Sequence, residues 1–248
     1  MLKLQLNVTS IASIEAALTA TLTHFQRLDV VVNNAGYTLA GDTEAAGDVE
    51  SRALMDTNFW GMVDVTKRCL PIMREQNTVN GGHQGGVILN VSSMGGWFGF
   101  PACSFYHASK FAMEGWTEAV AKELPPEWNV HLCNVEPGGV KTKYATSSLR
   151  MMEHRHPAYG DPSFPTNALL AYMADPKSRE TLAEPASIAA AMYQIVSRGE
   201  QIPIRVPLGQ DSWEMIMADV KETQRELETL KALSTSVQSP PHPTAVIY

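Results

Sequence analysis

Leu28-Asp29-Val30-Val31-Val32-Asn33-Asn34-Ala35-Gly36 is a short apolar run, rich in β-branched residues, that stops at two asparagines and a glycine. A run of this kind fits a strand buried on both faces, as in a parallel sheet covered by helices. The chain alternates in the same sense on either side. Upstream, Leu2, Leu4, Leu6 and Val8 alternate with Lys3, Gln5 and Asn7, which reads as a strand. Ile11, Ile14, Leu18, Leu22 and Phe25 then fall at helical spacing behind a capping Ser10.

Downstream, a long helix is expected over about 49–75, with Pro71 bending it or ending its regular part. The polar, Gly-rich segment 77–86 reads as a surface loop, and 86–92 as the next strand. A helix over 104–124 is stopped by Pro125-Pro126, and a strand over 129–135 ends at Pro137-Gly138-Gly139. The stretch 141–175 reads as irregular, 188–197 as a helix and 202–206 as a short strand. Trp213, Ile216, Val220, Leu227 and Leu230 share one face of a last helix, and 234–248 reads as a mobile C-terminal tail. The fold class is therefore α/β, a Rossmann-like doubly wound parallel sheet, whose ligands bind beyond the carboxyl ends of the strands.

Composition narrows the function. Of 248 residues, 44% are hydrophobic and 18% charged, enough to bury a core and to exclude global disorder. The net charge of −7, without a basic block, argues against nucleic acid as a partner. No apolar run is long enough to span a bilayer and the first residues lack a signal-peptide core, so a cytoplasmic protein with no membrane partner is expected. Cys69, Cys103 and Cys133 form no CxxC pair and read as reduced, packed thiols. His154 and His156 have no third ligand nearby, so no metal site is expected.

The candidates for chemistry follow the strands. Asn33-Asn34-Ala35-Gly36 follows the first apolar strand, Ser92-Ser93 the next, and Pro137-Gly138-Gly139-Val140-Lys141-Thr142 the one after. Tyr106 and Lys110 are four apart on one helix face. An ammonium roughly 5 Å from a phenol favours the phenolate by about 3 kcal/mol at an effective dielectric near 20, while burial pushes the other way. A phenol so tuned exchanges a proton with an alcohol or ketone oxygen, and a neighbouring serine holds that oxygen.

Asn-Asn-Ala-Gly at 33–36, Ser93 placed 13 residues before Tyr106-x-x-x-Lys110, and Pro137-Gly138 after the next strand together resemble the classical branch of the short-chain dehydrogenase/reductase family. The resemblance runs from about residue 2 to 142 and continues more weakly beyond. It implies an oxidoreductase that uses NADP or NAD, NADP ahead of NAD, on an alcohol or ketone. Tyr106 would be the general acid/base, Lys110 would lower its pKa and hold the nicotinamide ribose, and Ser93 would polarise the substrate oxygen. Asn58 matches a helix-kink asparagine whose carbonyl holds a relay water. Asn34 would sit by the adenosine ribose, Gly36 would give the backbone room near the cofactor, and Val140 and Thr142 would touch the carboxamide and phosphates, with Lys67 and Asn7 as weaker matches.

One part of the family pattern is missing. The turn Thr-Gly-x-x-x-Gly-x-Gly, which brings backbone up to a pyrophosphate, does not occur; Gly95 and Gly99 are followed by Pro101 and lie after the wrong strand. The alignment sets 2–8 against the family's third strand, with Asn7 where an Asp near the adenine is common. The chain is then expected to lack the first two strands, roughly 50 residues. A single partial domain over 1–233 results, with 28–32 as a bare edge and 143–184 covering the substrate. The alternative to an active enzyme is an impaired remnant or truncated gene model that binds cofactor poorly. Trp97, Phe98, Phe100, Met151, Met152, Tyr159, Phe164 and Leu169 point to an apolar alcohol or ketone, and the stretch 105–116 resembles fungal enzymes of the family, which implies a natural-product-like substrate of secondary metabolism. The resemblance also implies a homo-oligomer, dimer or tetramer, built on the two long helices.

Overall fold

The computed structural model describes residues 1–79, 83–142 and 148–237. Four strands, β1 (Val30–Asn33), β3 (Gly86–Val91), β4 (Val130–Pro137) and β6 (Arg205–Leu208), form a wholly parallel sheet in the order β1-β3-β4-β6. Two short strands, β2 (Thr38–Ala40) and β5 (Leu149–Met151), pair in parallel as a separate ribbon. The register sets Val32 beside Leu89, Ile88 beside Leu132 and Val135 beside Val206.

Period-two alternation sends the strand side chains to two cores. Val31, Ile88, Val130 and Leu132 pack with α1 (Ile11–Phe25), α3 (Gly61–Pro71) and α5 (Ser104–Glu123), through Ile14, Val65, Cys69 and Trp116. Val87, Leu89, Cys133 and Val135 pack on the other face against Met192, Ile195 and Val196 of α7 (Pro185–Ser197). At the β1 edge this second face is uncovered, leaving Val30 41% and Val32 46% exposed. Thus the apolar run at 28–32 leads into a strand, Val30–Asn33, and among the described residues that strand is one of the two edges of the sheet.

The expected strand at 2–8 does not form. Residues 1–7 are irregular, with Leu4 and Leu6 exposed, and only Val8 packs onto the core. Alternation alone does not make a strand, because a strand needs a ladder to satisfy its backbone. Here Asn7 instead starts the turn into α1: its Oδ1 accepts from the Thr9 N–H and hydroxyl, and its N–H donates to Ser13 Oγ.

The long helix is an unbroken helical run with two wide π turns. It comprises α2 (Asp48–Met55), a π turn at Asp56–Trp60, α3, a second π turn at Ile72–Gln76, and the short α4 (Asn77–Val79). Regular helix ends at Pro71, as its missing N–H requires. The loop expected over 77–86 is shorter. Asn77 is helical and buried, bonding Leu28 N–H, Leu28 O and Gly85 O, while Gly86 opens β3. Residues 80–82 lie outside the described set.

The stretch 141–175, expected to be irregular, contains β5 and α6 (Pro165–Ala174). The short strand over 202–206 begins later, at Arg205. In α8 (Gln210–Ser234) the apolar stripe is present, but only Ile216 of it is buried. The tail beyond 237 lies outside the described residues. Among the described residues no helix is long and apolar enough to cross a membrane. Cys69, Cys103 and Cys133 are free and buried.

Candidate active site

The carboxyl ends of β1, β3 and β4 lie side by side, since Asn33 pairs with Asn90 and Val91 with Val135. Asn34 to Gly36, Ser92-Ser93 and Gly138 to Thr142 therefore leave the sheet at one end. Beneath them runs a polar ladder missed by sequence reasoning. Asn33 Nδ2 donates to Asn90 Oδ1 at 2.8 Å and to Thr66 Oγ1 at 3.0 Å, and Asn90 Nδ2 donates to Thr117 Oγ1 at 2.9 Å. It ties β1, β3, α3 and α5 together below the site.

Tyr106 lies in the first turn of α5, packed among Leu39, Leu54 and Met152 on one side and Ala40, Cys103, Leu149 and Leu169 on the other. Burial raises the phenol pKa above its ordinary 10, and the Ser93 hydroxyl, in hydrogen-bonding reach, pulls it back in part. Ser93 Oγ also accepts from the Gly95 N–H at 3.0 Å, which fixes the hydroxyl at the strand end.

The expected lowering of the Tyr106 pKa by Lys110 does not prevail here: the net shift is upward. The i, i+4 spacing does bring the two together, but Lys110 Nζ sits 5.6 Å from the ring centroid and donates to Val91 O at 2.7 Å. Burial lowers the ammonium to about 8, with Glu114 opposing the change.

Asn58 sits inside the π turn at Asp56–Trp60 and is fully buried. Its Nδ2 donates to Tyr37 O at 2.9 Å and to Ser109 Oγ at 3.1 Å, while Oδ1 accepts from Tyr37 N–H at 3.0 Å. Ser109 Oγ in turn donates to Tyr106 O at 2.6 Å. Ser109 thus links Asn58 to the helix turn carrying Tyr106; its place three residues after Tyr106 was the available sequence signal. Gly36 closes this group: a Cβ there would stand 3.2 Å from Asn58 Oδ1 and 3.9 Å from Lys110 Nζ, so bare backbone borders both.

The remaining candidates lie around this centre. Asn34 is exposed just after β1. Val140 bridges Ala183, Thr142 N–H donates to Val140 O at 2.7 Å, and Gly139 N–H donates to Asp211 Oδ2 at 2.7 Å. Lys67 is exposed on α3, next to Thr66 of the polar ladder. Asn7 is not brought to this group, because its side chain is engaged in the turn before α1. Ser92 is buried away from solvent, beside Glu114.

The aromatic residues after Ser93 are engaged with protein. Trp97 lies under the Arg205 guanidinium, 5.3 Å from its ring centroid, and Phe100 meets Phe98 edge to face and His107 at a tilt. His107 holds this loop, accepting from Phe100 N–H at 2.9 Å and pairing with Gly95 O at 2.9 Å. Of the apolar residues expected around the substrate, Met152 and Leu169 do pack with Tyr106.

The profile of the short chain dehydrogenase family matches residues 1–153. The oxidoreductase calM of Penicillium decumbens is 40% identical over 237 residues, covering 94% of this chain and 76% of that protein. A solved short-chain dehydrogenase from Streptomyces avermitilis is 28% identical, with a TM-score of 0.80 over 95% of this chain and 80% of that one. A short-chain dehydrogenase/reductase from Burkholderia phymatum, solved in complex with NAD, shares the fold at a TM-score of 0.73 and 20% identity, over 99% of this chain and 80% of that one. The motif order on the sheet, the family match over more than half the sequence, and the calM similarity together establish that the chain belongs to the short-chain dehydrogenase family.

Proposed function

We propose that the chain is an NAD(P)-dependent oxidoreductase that interconverts a secondary alcohol and a ketone on an apolar substrate. The observation that carries this reading is the meeting of Tyr106, Ser93, Lys110 and Asn58 beyond the ends of β1 and β3. The bare backbone of Gly36 beside Lys110 and Asn58 fits the ribose and nicotinamide end of a dinucleotide. Bound there, the nicotinamide supplies or accepts hydride.

The chain's own residues handle the proton and the geometry. Tyr106 gives a proton to the ketone oxygen or takes one from the alcohol, and the Ser93 hydroxyl holds that oxygen. Lys110 would hold the ribose and add positive charge near the phenol, which favours its ionised form. Asn58 keeps the π turn shaped so that a backbone carbonyl faces the relay. Asn34, Gly36, Val140 and Thr142 would border the cofactor, with Lys67 at its outer side. Leu39, Leu149, Met152 and Leu169 around Tyr106 supply an apolar wall, and 148–184 would cover the substrate, in keeping with a natural-product-like ketone. The exposed Trp60 and Phe111 on the two long helices support association into a homo-oligomer along them.

A second reading is a folded chain that binds dinucleotide weakly. It is favoured by the sequence itself, which contains no Thr-Gly-x-x-x-Gly-x-Gly turn. One experiment separates the two. NADH and NADPH are titrated by fluorescence, and turnover is measured on a panel of apolar ketones with Tyr106→Phe as control. Saturable binding with turnover reduced at least about 100-fold in the variant supports the enzyme. Absence of binding in the millimolar range, with a folded chain, supports the weak binder.

A further inference from the structure

Beside the Ser92-Ser93 strand end lies a second group of buried polar side chains, with no part in the scheme above. Glu114 comes from α5, Glu136 from β4, Arg205 from β6 and Trp97 from the turn after Ser93. Glu114 is 5% and Glu136 0% exposed. Glu114 Oε2 accepts from Asn134 Nδ2 at 2.7 Å and from Arg205 Nε at 3.0 Å. Arg205 Nη2 donates to Glu118 Oε2 at 2.7 Å, and its Nε stands 3.9 Å from Glu136 Oε1.

Five further buried atoms belong to the same cluster: Ser92 Oγ, Trp97 Nε1, Glu114 Oε1 and both carboxyl oxygens of Glu136. Among the described residues none has a well-formed hydrogen bond elsewhere. A Cβ on Gly96 would meet Ser92 Oγ at 2.8 Å and Glu114 Oε1 at 3.2 Å, so the hydroxyl and the carboxyl converge on a space that only glycine leaves open. The Trp97 indole and the Glu114 carboxyl are Glu136's side-chain neighbours.

The count of charges and donors leads to one arrangement. Two ionised carboxylates would meet around one guanidinium that Glu118 also engages, with the nearest ammonium, Lys110, bonded to Val91 O, and buried carboxylates short of a cation partner are strongly disfavoured. Two facing carboxylates also have no donor between them; one proton supplies it and balances the charge. We propose that Glu114 and Glu136 share one proton, and that the pair, closed by Arg205, is a positioning device for the strand ends carrying Ser93 and the Pro137–Thr142 loop. Ser92 would donate to Glu114 and Trp97 to Glu136, fixing the chain on both sides of Ser93. Glu136 precedes Pro137 directly.

The surroundings agree. Burial raises both carboxyls, Glu136 to about 7. The other groups facing the pair are Lys110 and Glu118 on α5, one turn before and after Glu114, and the Cys133 thiol on β4, which burial pushes up to about 12. From α8 come Ser212, whose hydroxyl donates to Glu136 O at 2.7 Å, and Asp211, which accepts from Gly139 N–H.

The test uses the full chain and Glu136→Gln, which keeps the shape of the protonated acid without its titration. Infrared spectroscopy of the wild type at pH 6 should show a carboxylic-acid C=O band that fades as pH rises through about 7 and is missing in the variant. Because the folded pKa is raised, stability from this group is full below its ordinary 4.5 and is lost by about pH 7. Wild-type Tm should therefore fall relative to Glu136→Gln across that window, and the curves should run parallel above it. The turnover arm alone rests on the role given to Ser93: wild-type kcat should drop above about pH 7 with KM little changed, and the variant should lose that drop. A wild type without the acid band at pH 6, or Tm curves parallel from 4.5 to 7, overturns the proposal whether or not any substrate is turned over. If Glu136→Gln does not fold, the same measurements on Glu114→Gln, which frees Glu136 to ionise against Arg205, must show the band lost.

Discussion

Lys110 Nζ donates to the backbone oxygen of Val91 at 2.7 Å and stands over the face of the Tyr106 ring, 5.6 Å from its centroid. The ammonium thus belongs to the end of β3 as much as to the phenol. It anchors α5 to the strand from which Ser92-Ser93 emerge. Burial disfavours its charge, lowering its pKa to about 8, so the fold keeps a strained cation next to the phenol rather than a relaxed one in water.

Lys110→Met should therefore stabilise the protein while ending turnover. A lysine whose folded pKa is depressed weakens the fold where the side chain is charged, and that penalty is relieved as pH rises from about 8 to the ordinary 10.5. Removing the charge recovers at most about 3 kcal/mol, offset by about 1–2 kcal/mol for the unpartnered Val91 carbonyl. Chemical denaturation at pH 7 should show the variant more stable by about 1–2 kcal/mol, with the gap closing as pH rises above about 8 and reversing by pH 10.5, where the wild type has shed the penalty and keeps its bond to Val91 O. Turnover should fall at least about 100-fold. A variant less stable than wild type at pH 7 would contradict this account of the ammonium.

Asn58 makes a different prediction, because its side chain satisfies both backbone groups of Tyr37 from within a π turn. Asn58→Ala leaves the Tyr37 N–H and C=O without their partner and frees Ser109, at a cost of about 2–4 kcal/mol in urea denaturation. Asn58→Asp keeps the acceptor for the N–H, loses both donations and adds a buried charge. It should be no more stable than the alanine variant at pH 7 and should recover part of the loss in acid, where the carboxyl is neutral. If both variants match wild type in stability, Asn58 does not hold the π turn.

The sequence is explicit wherever one element carries all of a feature. The run at 28–32 reads as a strand of a parallel sheet, and Leu28 and Val31 do pack on the core shared with α1 and α3, and Tyr106 with Lys110 share a face because a helix repeats every 3.6 residues. It is silent or misleading where the partner decides. Leu2 to Val8 has a strand's alternation but no ladder to join, and β2 and β5 are three residues each, too short to carry a period. Spacing gave the face of Lys110 but not its bond to Val91, nor the burial that raises Tyr106. Glu114, Glu136 and Arg205 are ordinary residues on three separate elements, and only the register of β4 with β6 and the packing of α5 on β4 bring them together.

The cover over Tyr106 depends on one buried carboxylate. Asp42, just after β2, accepts from Arg155 Nε at 2.6 Å, from Arg155 Nη2 at 3.1 Å and from the His156 N–H at 3.1 Å. Arg155 also donates to Asn167 Oδ1, and Asn167 Nδ2 donates to Tyr159 O and Asp161 O, so Asp42 organises the segment running from β5 into α6. The Arg155 bonds hold the Asp42 pKa below the usual carboxylate range. Their stabilisation is present above the ordinary 3.8 and is lost as pH falls through the depressed value. Because Arg155 is half exposed, solvent screens part of the attraction, and the hydrogen bonds rather than the charges set the scale. Asp42→Asn keeps one acceptor and the shape but loses the charge. It should lower Tm by about 3–6 °C, speed proteolysis between 148 and 165, and raise KM for apolar ketones more than it lowers kcat. Equal changes in KM for apolar and small polar ketones would show instead that Asp42 supports the fold as a whole and not the cover over Tyr106.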